Sequence, residues 1–349
     1  MPLRLRVPHQ GAGRKIRWRF AAAIAVIPFD VARDMIRLIA GRLGLGAATF
    51  LVVTIIVFTG TQLLPGDVAQ QVLGQSATQE TLAALRHTLG LDQAPYVRYL
   101  SWLGRLLTGN LGVSLVNGLP NSELIGPRLQ NTLLLAGATA AFSVPFALML
   151  GAAAAMLRDS LFDRIVTVLT LCVVSVPEFF LATVFVLIFA VKLRWVPAIS
   201  YITEFHSVGQ LLRSLALPVI SLSCVVLAQM ARMTRAAILN VMSSPYIEMA
   251  ILKGVPRRRI ILRHALFNVI GPIGNVVALN LAYLVGGVII VETIFAYPGI
   301  AKLTVDAVST RDMPLLEACT MIFCSAYLLL MLLADIFAIV SNPRLRYPK

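Results

Sequence analysis

Six separate stretches of this chain, 43–64, 132–156, 166–191, 214–231, 267–291 and 318–340, are apolar over bilayer-spanning lengths. About 20 such residues in a helix cross the hydrocarbon of a membrane. A helix is also one of the few folds that satisfies its own backbone polar groups there. The expected fold is therefore an all-α membrane protein with six transmembrane helices. The fourth stretch is the shortest, and it is read as continuing to about residue 238, past Arg232 and Arg235, whose long stems can snorkel to the interface. Composition agrees: 58% of the 349 residues are hydrophobic and 13% charged, against about 45–50% and 25% in soluble domains.

The net charge of +14 would suit a nucleic-acid partner in a soluble chain. Here the basic residues flank apolar spans, where they set orientation instead, so nucleic-acid binding is not expected. With the N-terminus placed inside, the inner segments carry 21 Lys and Arg and the outer segments nine. Without residues 1–34 the inner side still has 14 in 61 residues, against nine in 115 outside. Both termini are thus expected in the cytoplasm.

Residues 1–34 form a basic N-terminal extension. Six cationic residues precede FAAAIAVIPF (20–29), which imitates a signal peptide. That run is too short to span and no convincing cleavage site follows it. An uncleaved cytoplasmic or interfacial segment is expected, with Met35 as an alternative first residue. Residues 35–349 then form the membrane domain.

The largest outer segment, 65–131, opens with LLPGD (63–67), a turn signal. Ser76 and Gln79 have capping-box spacing. Leu82, Leu85 and Leu89 recur at helical spacing, and Gly90 can end that helix. A second amphipathic helix is predicted over 95–107, with Leu100, Leu103 and Leu107 on one face. Two roles stay open for these helices: shielding the outer end of the first span, or touching an external partner.

Between the fourth and fifth stretches lies SSPYIEMAILKGVPRRRIILRHALFN (243–268), with five Lys or Arg and one acid. Ser243, Ser244 and Pro245 make a helix start, with Pro in the first turn. Glu248 suits the N-terminal dipole. Ile247, Ala250, Ile251 and Gly254 share a face, and Gly254 and Pro256 then interrupt the helix. Arg257–Arg259 begin a second helix leading into span five. The pattern alone is also compatible with an amphipathic segment resting on anionic lipid.

Residues 246–272, YIEMAILKGVPRRRIILRHALFNVIGP, resemble the EAA loop of ABC-transporter permeases: Glu248, Met249, Ala250 and Gly254 match its E-A-A and following Gly, with Met249 in place of the middle Ala. LLPGD (63–67), LGLDQAPYVRYLSWLGRLLTGNLGVSL (89–115), VETIFAYPGIAKLTVDAVSTRD (291–312) and NPRLRY (342–347) resemble the dipeptide/oligopeptide/nickel permease group, and its B-type subunit in particular. The likeness covers roughly residues 36–349. It implies a binding-protein-dependent importer in a bacterial or archaeal cytoplasmic membrane. The implied partners are a second homologous permease, two cytoplasmic ATPase subunits that carry the ATP and Mg, and an extracytoplasmic substrate-binding protein. It also implies that the loop's short helix seats in a cleft of the ATPase. Under that reading Tyr246, Ile247, Glu248, Ala250, Ile251 and Gly254 form the ATPase-coupling site. Ala250 and Gly254 permit close approach, while Ile247, Ile251 and Tyr246 bury apolar area, each aliphatic side chain contributing roughly 1.5–3 kcal/mol.

No catalytic chemistry is expected in the chain. The dipeptide Gly-Lys of a P-loop does not occur, nor do HExxH or GxSxG. The four histidines are far apart, and the four cysteines sit in apolar runs without a CxxC pair, so no metal site is expected. Two alternatives to the importer are an intramembrane protease and a stand-alone channel or secondary transporter, which usually shows internal repeats; no clear repeat is visible.

Glu178, directly after Pro177, lies twelve residues into the third stretch. A charge at that depth costs at least about 2.5–3.5 kcal/mol on insertion scales, and Pro177 can open the helix. Glu178 is thus a candidate for the translocation path, meeting a cationic end of substrate; an internal hydrogen bond to a neighbouring helix is the alternative. Asn268, Asn275 and Asn280 are placed for interhelical bonds, and Gly286–Gly287 for close helix approach. Asp335, near the inner end of span six and close to Arg344 and Arg346, is expected to make a structural ion pair or cap rather than a substrate contact. Glu292 and Tyr297, at the outer mouth, suit a gate or packing.

Overall fold

In the computed structural model, residues 29–63, 78–88, 92–200, 207–256, 259–260 and 266–341 are described, and among them no strand is formed. The helices are α1 (Phe29–Leu63), α2 (Gln79–Thr88), α3 (Pro95–Leu107), α4 (Asn121–Met156), α5 (Leu161–Ser175), α6 (Glu178–Phe185, continued by a π-helical turn over Val186–Lys192), α7 (Val208–Met242), α8 (Pro245–Leu252), α9 (Leu266–Ile294), α10 (Ile300–Thr310) and α11 (Met313–Ser341). Five helices, α1, α4, α7, α9 and α11, contain a continuous segment long and apolar enough to cross a membrane.

The third predicted span is not a single rod. Helices α5 and α6 meet at a bend of 101°, centred on Val176–Pro177, where Pro177 has φ −58° and ψ 139°. Proline restricts its predecessor to extended backbone, and Val176 has ψ 131°. The pair nonetheless joins the two ends of the body. Asp163 at its start binds Arg235, while Trp195 just past its end accepts from Arg213, near the start of α7. Taken as one broken helix, α5–α6 makes the sixth crossing.

Local sequence explains most helix ends. Ser160 caps α5, its side chain accepting from the Asp163 amide, and Ser207 caps α7 through the Gln210 amide. Helix α2 is capped by Thr78, which exchanges side-chain bonds with Thr81; the predicted cap Ser76, with Leu89 and Gly90, lies outside the described residues. Helix α3 matches the expected 95–107, with Pro95 in its first turn. Helix α4 begins eleven residues before the apolar run. There Asn121 donates its amide to Gly112 O and its side chain to Leu111 O. Helix α1 starts at Phe29, inside the segment read as an extension.

The core is the contact of α4 with α7, flanked by α9. Gly151 is required there: a Cβ would stand 2.5 Å from Ala231 O and 2.8 Å from Thr234 Cβ. Helix α11 closes on α9, where the Phe337 ring occupies the space a side chain at position 274 would need. At one end of the bundle, Ala155, Ile238 and Val269 form a small apolar cluster, and Arg42 pairs with Asp335 at 3.0 Å. At the other, Ile125, Ile300 and Leu315 form a second.

Candidate functional site

The loop after α7 is built as a short protruding helix. The Ser243 and Ser244 hydroxyls donate back to Asn240 O and Val241 O, closing α7. Ser244 is extended and Pro245 begins α8. The exit is a left-handed turn. Gly254 has φ +72°, its amide donates to Ile251 O, and the Val255 amide donates to Ala250 O. Glycine adopts that backbone without a Cβ penalty. A new turn then starts at Pro256, which accepts from the amides of Arg259 and Ile260; Arg257 and Arg258 lie outside the described residues.

Helix α8 divides its predicted face in two. Ile247 is fully buried within the chain, so it is unavailable to a partner in this conformation, at odds with its expected docking role. Ile260, in the turn that follows, is buried as well. The outward surface is Tyr246 at 46% exposure, Met249 at 55% and Leu252 at 76%, positions i, i+3 and i+6. Glu248 and Gly254 are exposed and Ala250 half-buried. Ile251 faces a groove of about 490 Å³ lined also by Arg158, Met242 and Val255. Met249, a departure from the EAA pattern, is thus one of the most accessible side chains of the loop.

The same end carries a bidentate ion pair. Arg235 Nε and Nη2 donate to the two Asp163 carboxylate oxygens at 2.6 and 2.7 Å. Arg235 therefore does not snorkel to the interface as its position suggested, because a carboxylate within reach satisfies the fork directly. The Ser-x-x-Asp spacing of 160–163 was the available signal. Asp335, expected to make a structural ion pair or cap, pairs with Arg42 on α1; Arg344 and Arg346 lie outside the described residues.

Glu178, first residue of α6, is buried and turned toward α9. The Tyr283 hydroxyl donates to its Oε2 at 3.3 Å, and its Oε1 has no partner among the described residues. A Cβ on Gly287 would lie 3.1 Å from Oε1, so this glycine gives the carboxylate its room, while Gly286 has no such neighbour. Asn280 donates to Val276 O of its own helix rather than across to another, Asn275 is exposed, and the Asn268 side chain is outside the described set.

At the opposite end Glu292 is fully buried and organises a corner. It accepts from Thr132 Oγ1 at 2.5 Å and from the amides of Ala301 and Lys302 at 2.9 and 3.0 Å. Its carboxylate thus caps α10, where an anion suits the helix dipole. Tyr297 donates to Asn131 O, and Asn131 returns a bond to Pro298 O. Burial, then the nearby Glu292, pushes the Tyr297 phenol up from its ordinary value. Two further carboxylates were not singled out from sequence. Asp312 takes bonds from the Ser114 hydroxyl and the Leu115 amide. Glu317 accepts from Thr61 of α1 at 2.7 Å.

Bent spans, glycine-mediated helix contacts, buried carboxylates and a protruding apolar loop helix define a multi-span membrane permease. Residues 147–347 match the family of binding-protein-dependent transport system inner membrane components, and residues 35–121 match the N-terminal model of the same system. The chain is 37% identical over 313 residues to a putative peptide transport system permease of Brucella abortus, covering 90% of this chain and 100% of the relative. It is 34% identical to a probable peptide ABC transporter permease of Sinorhizobium fredii, covering 86% and 96%. A glutathione transport system permease of Salmonella typhi is also 34% identical, covering 86% and 95%. The chain belongs to the binding-protein-dependent transport system inner membrane component family, and is a permease subunit of an ABC importer in the inner membrane.

Proposed function

We propose that residues 35–349 form, with a second homologous permease, the path by which peptides or similar small solutes enter the cell. The relatives named for peptide and glutathione transport support that substrate class. Two cytoplasmic ATPases supply the ATP and Mg, and an extracytoplasmic binding protein delivers the solute. Both termini and the α8 loop face the cytoplasm. A stand-alone channel or secondary transporter is not favoured.

One observation carries the coupling part: α8 holds Tyr246, Met249 and Leu252 clear of the body while Ile247 locks its other side inside. An exposed apolar patch on a loop helix pinned by one buried side chain marks a protein contact, and an anchored helix transmits a push. Closure of the ATPases then moves α8, and through Val255–Ile260 it moves α9. Glu178 and Tyr283 sit where α6 meets α9, so the same motion changes the exposure of the free Glu178 oxygen, which receives the cationic end of a peptide. The test is uptake of a labelled peptide panel by the reconstituted complex. ATP-dependent uptake requiring the binding protein is expected; uptake by this chain alone would sink the proposal.

A further inference from the structure

Helix α3 follows the first span in an outer segment, yet it does not stand off in water. Tyr99 OH lies 2.9 Å from Thr54 Oγ1. Phe58, Tyr99 and Trp102 form an aromatic cluster with ring centroids 5.5 to 6.1 Å apart. Thr54 and Phe58 belong to α1, and no charged residue occurs between Arg42 and the end of that helix at Leu63. Those 21 uncharged residues extend about 32 Å, close to the thickness of a hydrocarbon core of about 30 Å. The stretch cannot slide far along the membrane normal. Phe58 and Thr54 therefore stand about 8 and 14 Å inside its outer end, and α3 lies against them.

We propose that α3 is a helix of the outer leaflet, laid against α1 with one face presented to lipid acyl chains. Three sectors support this. Tyr99 and Trp102 turn to α1. Arg98, Ser101 and Arg105 form a polar sector. Tyr96 and Leu100, at 69% and 62% exposure, and Leu107 form an apolar sector that the described residues leave uncovered. At the same depth on α1, Val52, Ile55 and Ile56 are also more than half exposed, so the apolar sector continues the side of a span. Amphipathic helices settle about 5–10 Å into the headgroup and acyl boundary, the depth at which Phe58 holds this one. The two arginines have a counter-charge. Arg98 and Arg105 lie within electrostatic reach of Glu317, the buried carboxylate held by Thr61. One acid on α11 facing the two arginines offsets part of the cost of carrying this basic sector into the leaflet.

The experiment places nitroxide labels at Leu100→Cys, Tyr96→Cys and Ser101→Cys in the full chain, with its co-purifying subunits, reconstituted in liposomes. The background has Cys172, Cys224, Cys319 and Cys324 replaced by alanine and is used only if its unfolding temperature matches the parent. Collision with oxygen, which concentrates in acyl chains, is compared with collision with a water-soluble nickel chelate. The oxygen-to-nickel ratio is expected to be several-fold higher at positions 96 and 100 than at 101. Equal nickel access at all three positions would place α3 in water and overturn the proposal. Shielding of 96 and 100 from both reagents would assign the face to a protein partner and overturn it equally.

Discussion

Thr132 on α4 stands 2.5 Å from Glu292 on α9, and the same hydroxyl accepts from the Ile300 amide at 2.9 Å. One side chain thus joins two spans and the start of α10, far along the chain from either partner. Removing the hydroxyl with Thr132→Val leaves both groups short of a buried partner, which costs about 1–3 kcal/mol each. Purified Thr132→Val is expected to melt lower than the parent, and Thr132→Ser to recover most of the loss. Gly299→Ala should be worse than either, because the added methyl would collide with the Glu292 carboxylate.

Ile247→Ala and Tyr246→Ala separate anchor from contact. Ile247 is fully buried, and truncating a buried Ile costs about 2–5 kcal/mol, so thermal unfolding of Ile247→Ala should fall clearly. Tyr246→Ala removes a half-exposed ring and should leave the melting temperature near the parent. It should weaken co-purification of the ATPase subunits instead. Equal retention of ATPase by Tyr246→Ala and parent would argue against the coupling assignment.

Much of this arrangement was legible in the sequence. Helices α3 and α8 fall where their prolines and periodicity place them, and Pro177 marks the break in the third span. The magnitude of that bend was not readable, since one proline is compatible with a kink or a near right angle. The burial of Ile247 was hidden for a different reason. Ile247, Ala250, Ile251 and Gly254 share a helical face, but sequence does not say which neighbour that face meets. Glu317 was missed because it stands one residue before an apolar run and reads as the last residue of a loop. Only the fold brings Thr61 to it.

Gly254→Asp tests the left-handed exit of α8. Aspartate tolerates positive φ better than most residues, and among the described residues nothing lies within 4 Å of a Cβ there. Expression and membrane insertion should therefore survive. ATP-driven uptake should be lost, because the space beside Gly254 is where a docking partner would approach. If uptake persists, Gly254 is needed only for its backbone.

Arg235→Ala strips the partner from Asp163, whose side chain is only 4% exposed. Breaking a buried pair from one side costs about 3–5 kcal/mol, and the partial exposure of Arg235 places the expectation near the lower end. The double variant Arg235→Met with Asp163→Leu should recover much of the melting temperature, since an apolar pair of similar volume carries no desolvated charge.

Glu178→Gln keeps the shape of the side chain and its ability to accept from Tyr283, while removing the charge. The fold should tolerate it, with a melting temperature at or above the parent, because an anion is no longer held among apolar helices. Uptake should change selectively. Peptides with a free amino terminus should lose transport relative to N-acetylated ones of the same sequence, the signature of a lost charge–charge contact. Gly287→Ala offers an independent check, since its methyl would press on the carboxylate at 3.1 Å without altering charge. It should lower uptake of both peptide kinds alike by obstructing the α6–α9 contact. A Glu178→Gln protein with unchanged uptake and unchanged selectivity would return Glu178 to a purely structural role at the bend.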